Sequence, residues 1–221
     1  MNFEAILFDL DETLYPTSSG IWELIRDRIN LFMEEKLQIP HDQVAEMRED
    51  LFRRYGTTMR GLQAIYHIDE HEFLAFVHDV PVGNYLTPHP ELRNLLHSLK
   101  VKKIIFTNAD RNHASRVTNV LGISDCFDQV IDILDISPYC KPMDDAFKIA
   151  MRLAGISDPQ RCVFIDDTPN NLQAAFRLGF YTVRVGEKGQ IPTWNASIPS
   201  IEALPDVFLP QINCGKDTHG R

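Results

Sequence analysis

Asp9 and Asp11 follow directly on the apolar run Ala5-Ile6-Leu7-Phe8. Such a run reads as a buried strand. Side chains two apart on a strand share a face, so the two carboxylates would point the same way if the strand continued. Like charges that close repel unless a cation or a proton lies between them. Two later apolar runs also end in polar residues: Ile104-Ile105-Phe106 in Thr107-Asn108, and Val163-Phe164-Ile165 in Asp166-Asp167. Lys141, followed by Pro142, lies beyond a further run, Val130–Ile133. Taken singly, each has an ordinary reading, since an acidic pair can cap a turn and a lysine is usually a solvated charge. Four of them in this order at strand ends point to one site, because ligands of open α/β sheets sit outside the carboxyl ends of the strands.

The chemistry of this set is phosphoryl transfer. A carboxylate such as Asp9 can attack phosphorus and form an aspartyl-phosphate, which splits hydrolysis into two steps. Asp11 can protonate the leaving alkoxide and then deprotonate the water that cleaves the intermediate. Mg²⁺ prefers hard oxygen ligands, so Asp9 and Asp166, with a backbone carbonyl and waters, make a suitable shell. The metal-ligand candidates are thus Asp9, Asp11 and Asp166. The Thr107 hydroxyl, the Asn108 backbone N–H and the Lys141 ammonium are the phosphate-binding candidates, positioned for the equatorial oxygens. Asp167 is either an outer partner of the metal or a partner for Lys141.

These residues need a scaffold, and the bulk sequence allows one. The chain has 221 residues, 44% hydrophobic and 24% charged, which suits a folded domain with a full core or a domain with an insert. Its net charge of −9 argues against polymeric nucleic acid or an anionic membrane as partner. An anionic substrate therefore needs a local cation, and the expected partner is a small phosphorylated metabolite. Cys126, Cys140, Cys162 and Cys214 form no CxxC pair and read as reduced thiols. There is no basic-then-apolar signal segment and no membrane-length apolar run, so a soluble, cytoplasmic protein is expected. Nothing in the sequence specifies an oligomeric state.

Ala5–Phe8, Lys103–Phe106, Val130–Ile133, Cys162–Ile165 and Tyr181–Val185 read as strands buried on both faces, as in a parallel sheet. Helical patterns separate the later ones, closed by Gly122, Gly155 and Gly179. Strand and helix alternate, the mark of an α/β fold with a Rossmann-like parallel sheet. The stretch from Tyr15 to about Pro90 breaks that rhythm. It carries helical stripes at Ile21–Met33, Val44–Tyr55 and Leu62–Tyr66, then Asp69 and Glu72 opening a helix in the manner of a capping box. The expected division is a core of 1–15 and 88–221 with an inserted all-helical cap of 16–87. Turn formers at both edges of the insert allow two readings, hinges or an insert packed immovably on the sheet. Ile201, Leu204, Val207 and Phe208 read as a small closing element, and 214–221 as a loose tail.

The motifs resemble those of the haloacid dehalogenase-like (HAD) superfamily: Asp9-Leu10-Asp11-Glu12-Thr13, Thr107, Lys141 and Asp166-Asp167. The resemblance runs to about Gly186. It implies a Rossmann-like core, a helical cap after the first strand, and Mg²⁺-dependent phosphate transfer to water through Asp9. Family members that cleave carbon–halogen bonds lack an Asp at the position of Asp11, so the resemblance favours a phosphatase over a dehalogenase. A finer resemblance is to the pyrimidine 5′-nucleotidase-like branch. It is carried by Asp11–Pro16, Ser19-Gly20-Ile21, Tyr55–Leu62, Thr107-Asn108-Ala109 with Asn112-His113-Ala114, and Phe164–Thr168 with Asn171. It suggests UMP or CMP. Phosphatases of other small metabolites, such as a sugar phosphate or phosphoglycolate, belong to the same branch.

The cap of this fold class usually selects the leaving group, so Arg60 is either a residue that meets a polar group of the substrate or a solvated helix arginine. His67, His71 and His113 invite a metal reading, but their scatter and the oxygen-rich site favour surface or packing roles. A dehalogenase, a phosphotransferase and a non-catalytic binding module are the competing readings. The intact set Asp9, Asp11, Thr107, Lys141 and Asp166 weighs against the last.

Overall fold

The computed structural model describes residues 3–186 and 194–207. Five strands form where continuous apolar runs stand: β1 (Ala5–Phe8), β2 (Lys102–Phe106), β3 (Gln129–Ile131), β4 (Cys162–Asp166) and β5 (Tyr181–Val185). A sixth, β6 (Ala196–Ile198), extends the edge. All neighbours pair in parallel, in the order β3-β2-β1-β4-β5-β6. This is the doubly wound order in which the chain runs to one side of β1 and then to the other, opening a crevice beyond β1 and β4. Strand β6 was not expected. Three residues are too few for a periodic signal. Its register is pinned instead by side chains: Asn195 Oδ1 accepts from the Thr182 N–H at 2.7 Å, and Trp194 Nε1 donates to Ser197 at 2.8 Å.

Between β1 and β2 the chain makes α1 (Ile21–Leu37), α2 (His41–Tyr55), α3 (Thr58–Tyr66) and α4 (Glu70–Val77), with no strand. Their inward stripe includes Ile21, Ile25, Phe32, Met33, Leu51 and Phe73. Asp69 caps α4 by accepting from the Glu72 N–H at 2.8 Å, as its spacing suggested. Gly61 has a steric reason: a Cβ there would stand 2.8 Å from the Leu51 side chain, so α2 and α3 touch only because it is absent. Gly56 ends α2 at φ +83°, where a Cβ would stand 2.8 Å from Cys140 Sγ. It brings the end of α2 against the residue before Lys141.

Alternation along the strands splits the core into two layers. Ile6, Phe8, Ile105, Val163 and Ile165 face α5 (Pro90–Ser98), α6 (Arg111–Leu121) and, in the same continuous apolar cluster, the helical insert. Ala5, Leu7, Ile104, Phe106 and Phe164 face α7 (Asp144–Ala154) and α8 (Pro169–Arg177). Helix α5 was hidden behind turn residues in the sequence. Pro90 opens it, where a missing N–H costs nothing, and His89 Nδ1 accepts from the Leu92 N–H at 3.2 Å. Ile201 and Leu204 pack into the first layer as expected, while Phe208 and 214–221 lie outside the described residues. Among the described residues, no helix is long and apolar enough to cross a membrane.

Candidate active site

The carboxyl ends of β1 and β4 lie side by side, and the Asp9 N–H donates to the Ile165 carbonyl at 2.8 Å. That bond carries the pairing one residue past β1 and sets Asp9 beside Asp166, the last residue of β4. Between them stands the Lys141 ammonium, 2.6 Å from Asp9 Oδ1, 2.9 Å from Asp166 Oδ2 and 2.8 Å from the Phe106 carbonyl. Its three donors are thereby used, and the residue is only 1% exposed. The rings of Phe106 and Phe164 flank the ammonium at 5.3 and 5.4 Å. Lys141 lies on a loop, and Asn108 fixes that loop. Asn108 Oδ1 accepts from the Lys141 N–H and its Nδ2 donates to the Lys141 carbonyl, both at 2.9 Å. Thr107 is buried beside it, with its hydroxyl oxygen accepting from the Ala109 N–H at 2.9 Å. Asp166 accepts in addition from the Thr168 N–H at 2.8 Å and from Asn171.

Asp9, Asp166 and Asp167 each offer an oxygen, and these oxygens lie within 4.8 Å of one another. Three carboxylates therefore crowd together, with one buried ammonium paired to two of them. Burial drives the Asp9 carboxyl well above its ordinary range; Lys141 opposes this, and Asp166 and Asp167 add to it. Burial, then Asp166 and Glu12, push Asp167 up to about 7. Burial alone would lower Lys141, but Asp166 and Asp9 outweigh it and keep the ammonium charged. A cluster of hard oxygens with uncompensated negative charge fits a hard divalent cation.

Asp11 is not part of this cluster. Strand β1 stops at Phe8, and the chain then turns, with the Leu14 N–H donating to the Leu10 carbonyl at 2.9 Å and Glu12 at φ +58°. The period of two that would align Asp9 with Asp11 ends with the strand. The Asp11 side chain goes instead to Tyr15, whose hydroxyl donates to Oδ1 at 2.5 Å, and to His113, whose Nε2 lies 2.7 Å from the same oxygen. Burial would raise this carboxyl, but His113 and the hydrogen bonds from His113 and Tyr15 outweigh it and hold Asp11 below its ordinary value. The carboxylate oxygens that the structure brings together are those of Asp9, Asp166 and Asp167, and the Asp11 carboxylate expected among them stands apart. Lys141 pairs with Asp9 and Asp166, so the alternative of an Asp167–Lys141 pair is not what forms.

Arg60 also departs from expectation. It is buried, and Nε donates to the Tyr139 carbonyl, Nη2 to the Ile133 and Tyr139 carbonyls, and Nη1 to Gln63 and Glu70. Every donor is spent on the protein, so Arg60 ties the helical insert to the loop before Lys141 rather than facing a substrate. His67 and His71 are exposed, as a surface role requires. His113 is fully buried and joins Asp11, a role no local pattern announced.

The two carboxylate groups open on one cavity of about 590 Å³. Asp9, Asp11, Thr107 and Lys141 line its floor, while Trp22, Ile25, Ile29, Phe73 and Leu74 from the insert form an apolar wall. Arg48 also lines it, and its Nε is buried without a partner.

The model of the haloacid dehalogenase-like hydrolases matches residues 3–179. Phosphate metabolism protein 8 of Saccharomyces cerevisiae is 32% identical over 190 residues, 80% of this chain, and the chain spans 59% of the length of that yeast protein. Glyceraldehyde 3-phosphate phosphatase of Methanopyrus kandleri is 26% identical over 197 residues, covering 82% of this chain and 83% of its own length. Among solved structures, the putative HAD-hydrolase YfnB of Bacillus subtilis, bound to magnesium, aligns over 95% of this chain and all of its own with a TM-score of 0.63 at 17% identity. Its likeness is one of fold. With the family model covering β1 to β4, the insert and the strand-end residues alike, the chain belongs to the haloacid dehalogenase-like hydrolase family.

Proposed function

We propose that the chain is a Mg²⁺-dependent phosphomonoesterase of a small metabolite, working through an aspartyl-phosphate on Asp9. The observation that carries this reading is the separation of the two carboxylates. Asp9 sits in the Lys141 cluster, while Asp11 sits apart with its own donors, and both line one cavity. A halide leaving group needs no acid, whereas an alkoxide does, so a second carboxylate held apart from the first supports ester hydrolysis over dehalogenation.

In this mechanism Lys141 holds Asp9 in place and keeps a positive charge beside the incoming phosphate. Asp9, Asp166 and Asp167 would hold Mg²⁺, which supplies charge neutralisation for the phosphate dianion and the carboxylates when bound. Asp9 attacks phosphorus, and Asp11 protonates the ester oxygen as the P–O bond breaks. Asp11 then takes a proton from the water that releases phosphate. Thr107 and the Asn108 backbone are the remaining candidates to hold the equatorial oxygens. The core of 1–15 and 88–221 carries this chemistry, and the cap of 16–87 closes the cavity over the leaving group.

For the substrate we favour a pyrimidine 5′-nucleotide, UMP or CMP. The cavity volume and its aromatic and aliphatic wall suit a planar ring beyond the phosphate. The names of the yeast and Methanopyrus relatives, one in phosphate metabolism and one a phosphatase, support the reaction class. Buried, unpaired Cys126, Cys140 and Cys162 support a reducing, cytoplasmic setting. The test is phosphate release with Mg²⁺ from UMP and CMP against purine nucleotides, sugar phosphates, glyceraldehyde 3-phosphate and phosphoglycolate. A clear pyrimidine preference is expected, a flat profile removes the substrate class, and full activity in excess EDTA removes the metal.

A further inference from the structure

Asp11 is held by two donors on a single oxygen. Tyr15 and His113 both reach Oδ1, and among the described residues none hydrogen-bonds Oδ2. An ionised carboxylate only accepts, so Nε2 of His113 carries the hydrogen of that bond. A carboxylate oxygen has two lone-pair directions, and here both are taken on Oδ1. The next proton that Asp11 accepts must go to Oδ2. His113 itself is unusual for a buried histidine. It is fully buried, and its Nδ1 has no partner. A structural histidine in the interior normally satisfies both ring nitrogens. This one makes a single side-chain hydrogen bond, and that bond is to Asp11.

The ring is seated from the opposite side. His78, which follows the last cap helix α4, stacks on His113 with centroids 4.5 Å apart and planes 19° from parallel. Asp110 organises both rings. Its Oδ1 accepts from the His113 N–H at 2.9 Å, capping α6, and its Oδ2 accepts from His78 Nδ1 at 2.5 Å. Arg116 Nη2 donates to the His78 carbonyl at 2.7 Å, so the exit of the cap is fastened to the same helix.

We infer that His113 is a positioning residue that, with Tyr15, clamps Oδ1 of Asp11 so that Oδ2 faces the leaving group. The inference deepens the phosphatase reading above and rests on it. A substrate that arrives as the phosphate monoanion first passes its acidic proton to Oδ2; in the first half-reaction the Asp9–phosphorus bond then forms, the P–O(ester) bond breaks, and the electron pair left on the ester oxygen takes that proton from Oδ2. In the second half-reaction water attacks phosphorus, its proton returns to Oδ2, and the Asp9–phosphorus bond breaks. Tyr15 and His113 keep their own protons throughout. An acid held in one orientation matters most when the leaving group is poor, because a stable leaving anion needs little protonation.

The experiment compares wild type, His113→Leu, His113→Gln and Tyr15→Phe on p-nitrophenyl phosphate and on an alkyl phosphate, with kcat and KM for each and a thermal midpoint for each protein. His113→Leu should lower kcat roughly 10- to 100-fold on the alkyl ester and less than about threefold on the aryl ester, with KM little changed. His113→Gln, whose amide N–H can reach Oδ1, should recover most of the alkyl activity. Tyr15→Phe should show the same split without touching α6, so the inference stays testable if His113→Leu does not fold. Equal proportional losses on both esters, in either the leucine or the phenylalanine variant, overturn the clamp, as does a glutamine variant no better than leucine. If wild type hydrolyses neither ester, the phosphatase reading falls and takes the inference with it. If wild type hydrolyses both and Asp9→Asn neither, uniform losses sink the clamp alone.

Discussion

Asp9 and Asp11 are the same residue type two positions apart, and the fold gives them opposite surroundings. Asp9 continues the pairing of β1 and enters a crowd: Asp166, Asp167 and a buried ammonium that touches two of the three carboxylates. Asp11 comes after the strand has ended and meets hydrogen-bond donors, Tyr15 and His113. Burial acts on both. At Asp9 its effect is reinforced by like charges, and the carboxyl is driven up. At Asp11 it is overcome by the donors, and the carboxyl is held down. The end of a strand, not a change of residue, gives the two carboxylates different surroundings: Asp9 carries the pairing of β1 into the cluster, and Asp11 turns away from it.

The sharpest way to break this comparison is to disable one end at a time. Asp9→Asn should abolish turnover, by about 10⁴-fold or more on any ester, while the protein stays folded because the amide oxygen still accepts from Lys141. Phosphate release and a melting curve measure both. Near-normal activity would remove Asp9 as nucleophile. Asp11→Asn should cost about 10²- to 10⁴-fold on alkyl esters and much less on p-nitrophenyl phosphate. If the two variants lost activity equally on both esters, the division of labour between the carboxylates would be wrong.

Lys141→Met attacks the Asp9 side through stability. The lysine is fully buried between two carboxylates, and removing one partner of a buried ion pair leaves uncompensated charge. A loss of roughly 3–5 kcal/mol is expected, which lowers the melting temperature by about 10 °C in a chain of this size. No such loss is expected for Tyr15→Phe, since Asp11 keeps His113 and a path to solvent at the cavity. Comparable melting temperatures for the two variants would mean that the Asp9 cluster is not under greater electrostatic load.

Most of the scaffold for this contrast was legible in the sequence. Strands buried on both faces leave runs such as Val163-Phe164-Ile165 that need no period to be seen. The four helices inserted after β1 carry apolar stripes, and two of them side-chain caps, of their own. What was hidden depends on partners far along the chain. His113 reaches Asp11 across 102 positions, and its only local mark is its place in the first turn of α6 behind Asp110. Arg60 could be read as a substrate contact because the carbonyls that occupy it, at Ile133 and Tyr139, lie more than seventy residues away. The assignment of Asp11 to the metal cluster assumed that the strand ran on. That the Asp11 carboxylate stands apart follows from the turn after Phe8, which the residue types alone do not reveal.

Asp167 offers the gentlest test of the comparison, through pH. In the metal-free protein its carboxyl titrates at about 7, against an ordinary value of 3.8. Between those values the folded chain holds a proton that the unfolded chain has lost, so folding stability falls as pH rises through this window. Asp167→Asn removes that loss. In the absence of divalent cations the variant should therefore match wild type near pH 4 and become the more stable of the two by pH 8. The margin should be roughly 1–3 kcal/mol after allowance for its partial exposure. Urea unfolding at the two pH values, with EDTA, measures the difference. Adding Mg²⁺ should then stabilise wild type more than the variant, since a cation that takes the place of the proton gains from the third carboxylate. A variant that stays level with wild type at pH 8 would show that the strain at the Asp9 end does not extend to Asp167. The crowd around the nucleophile would then shrink to the Asp9–Lys141–Asp166 triad alone.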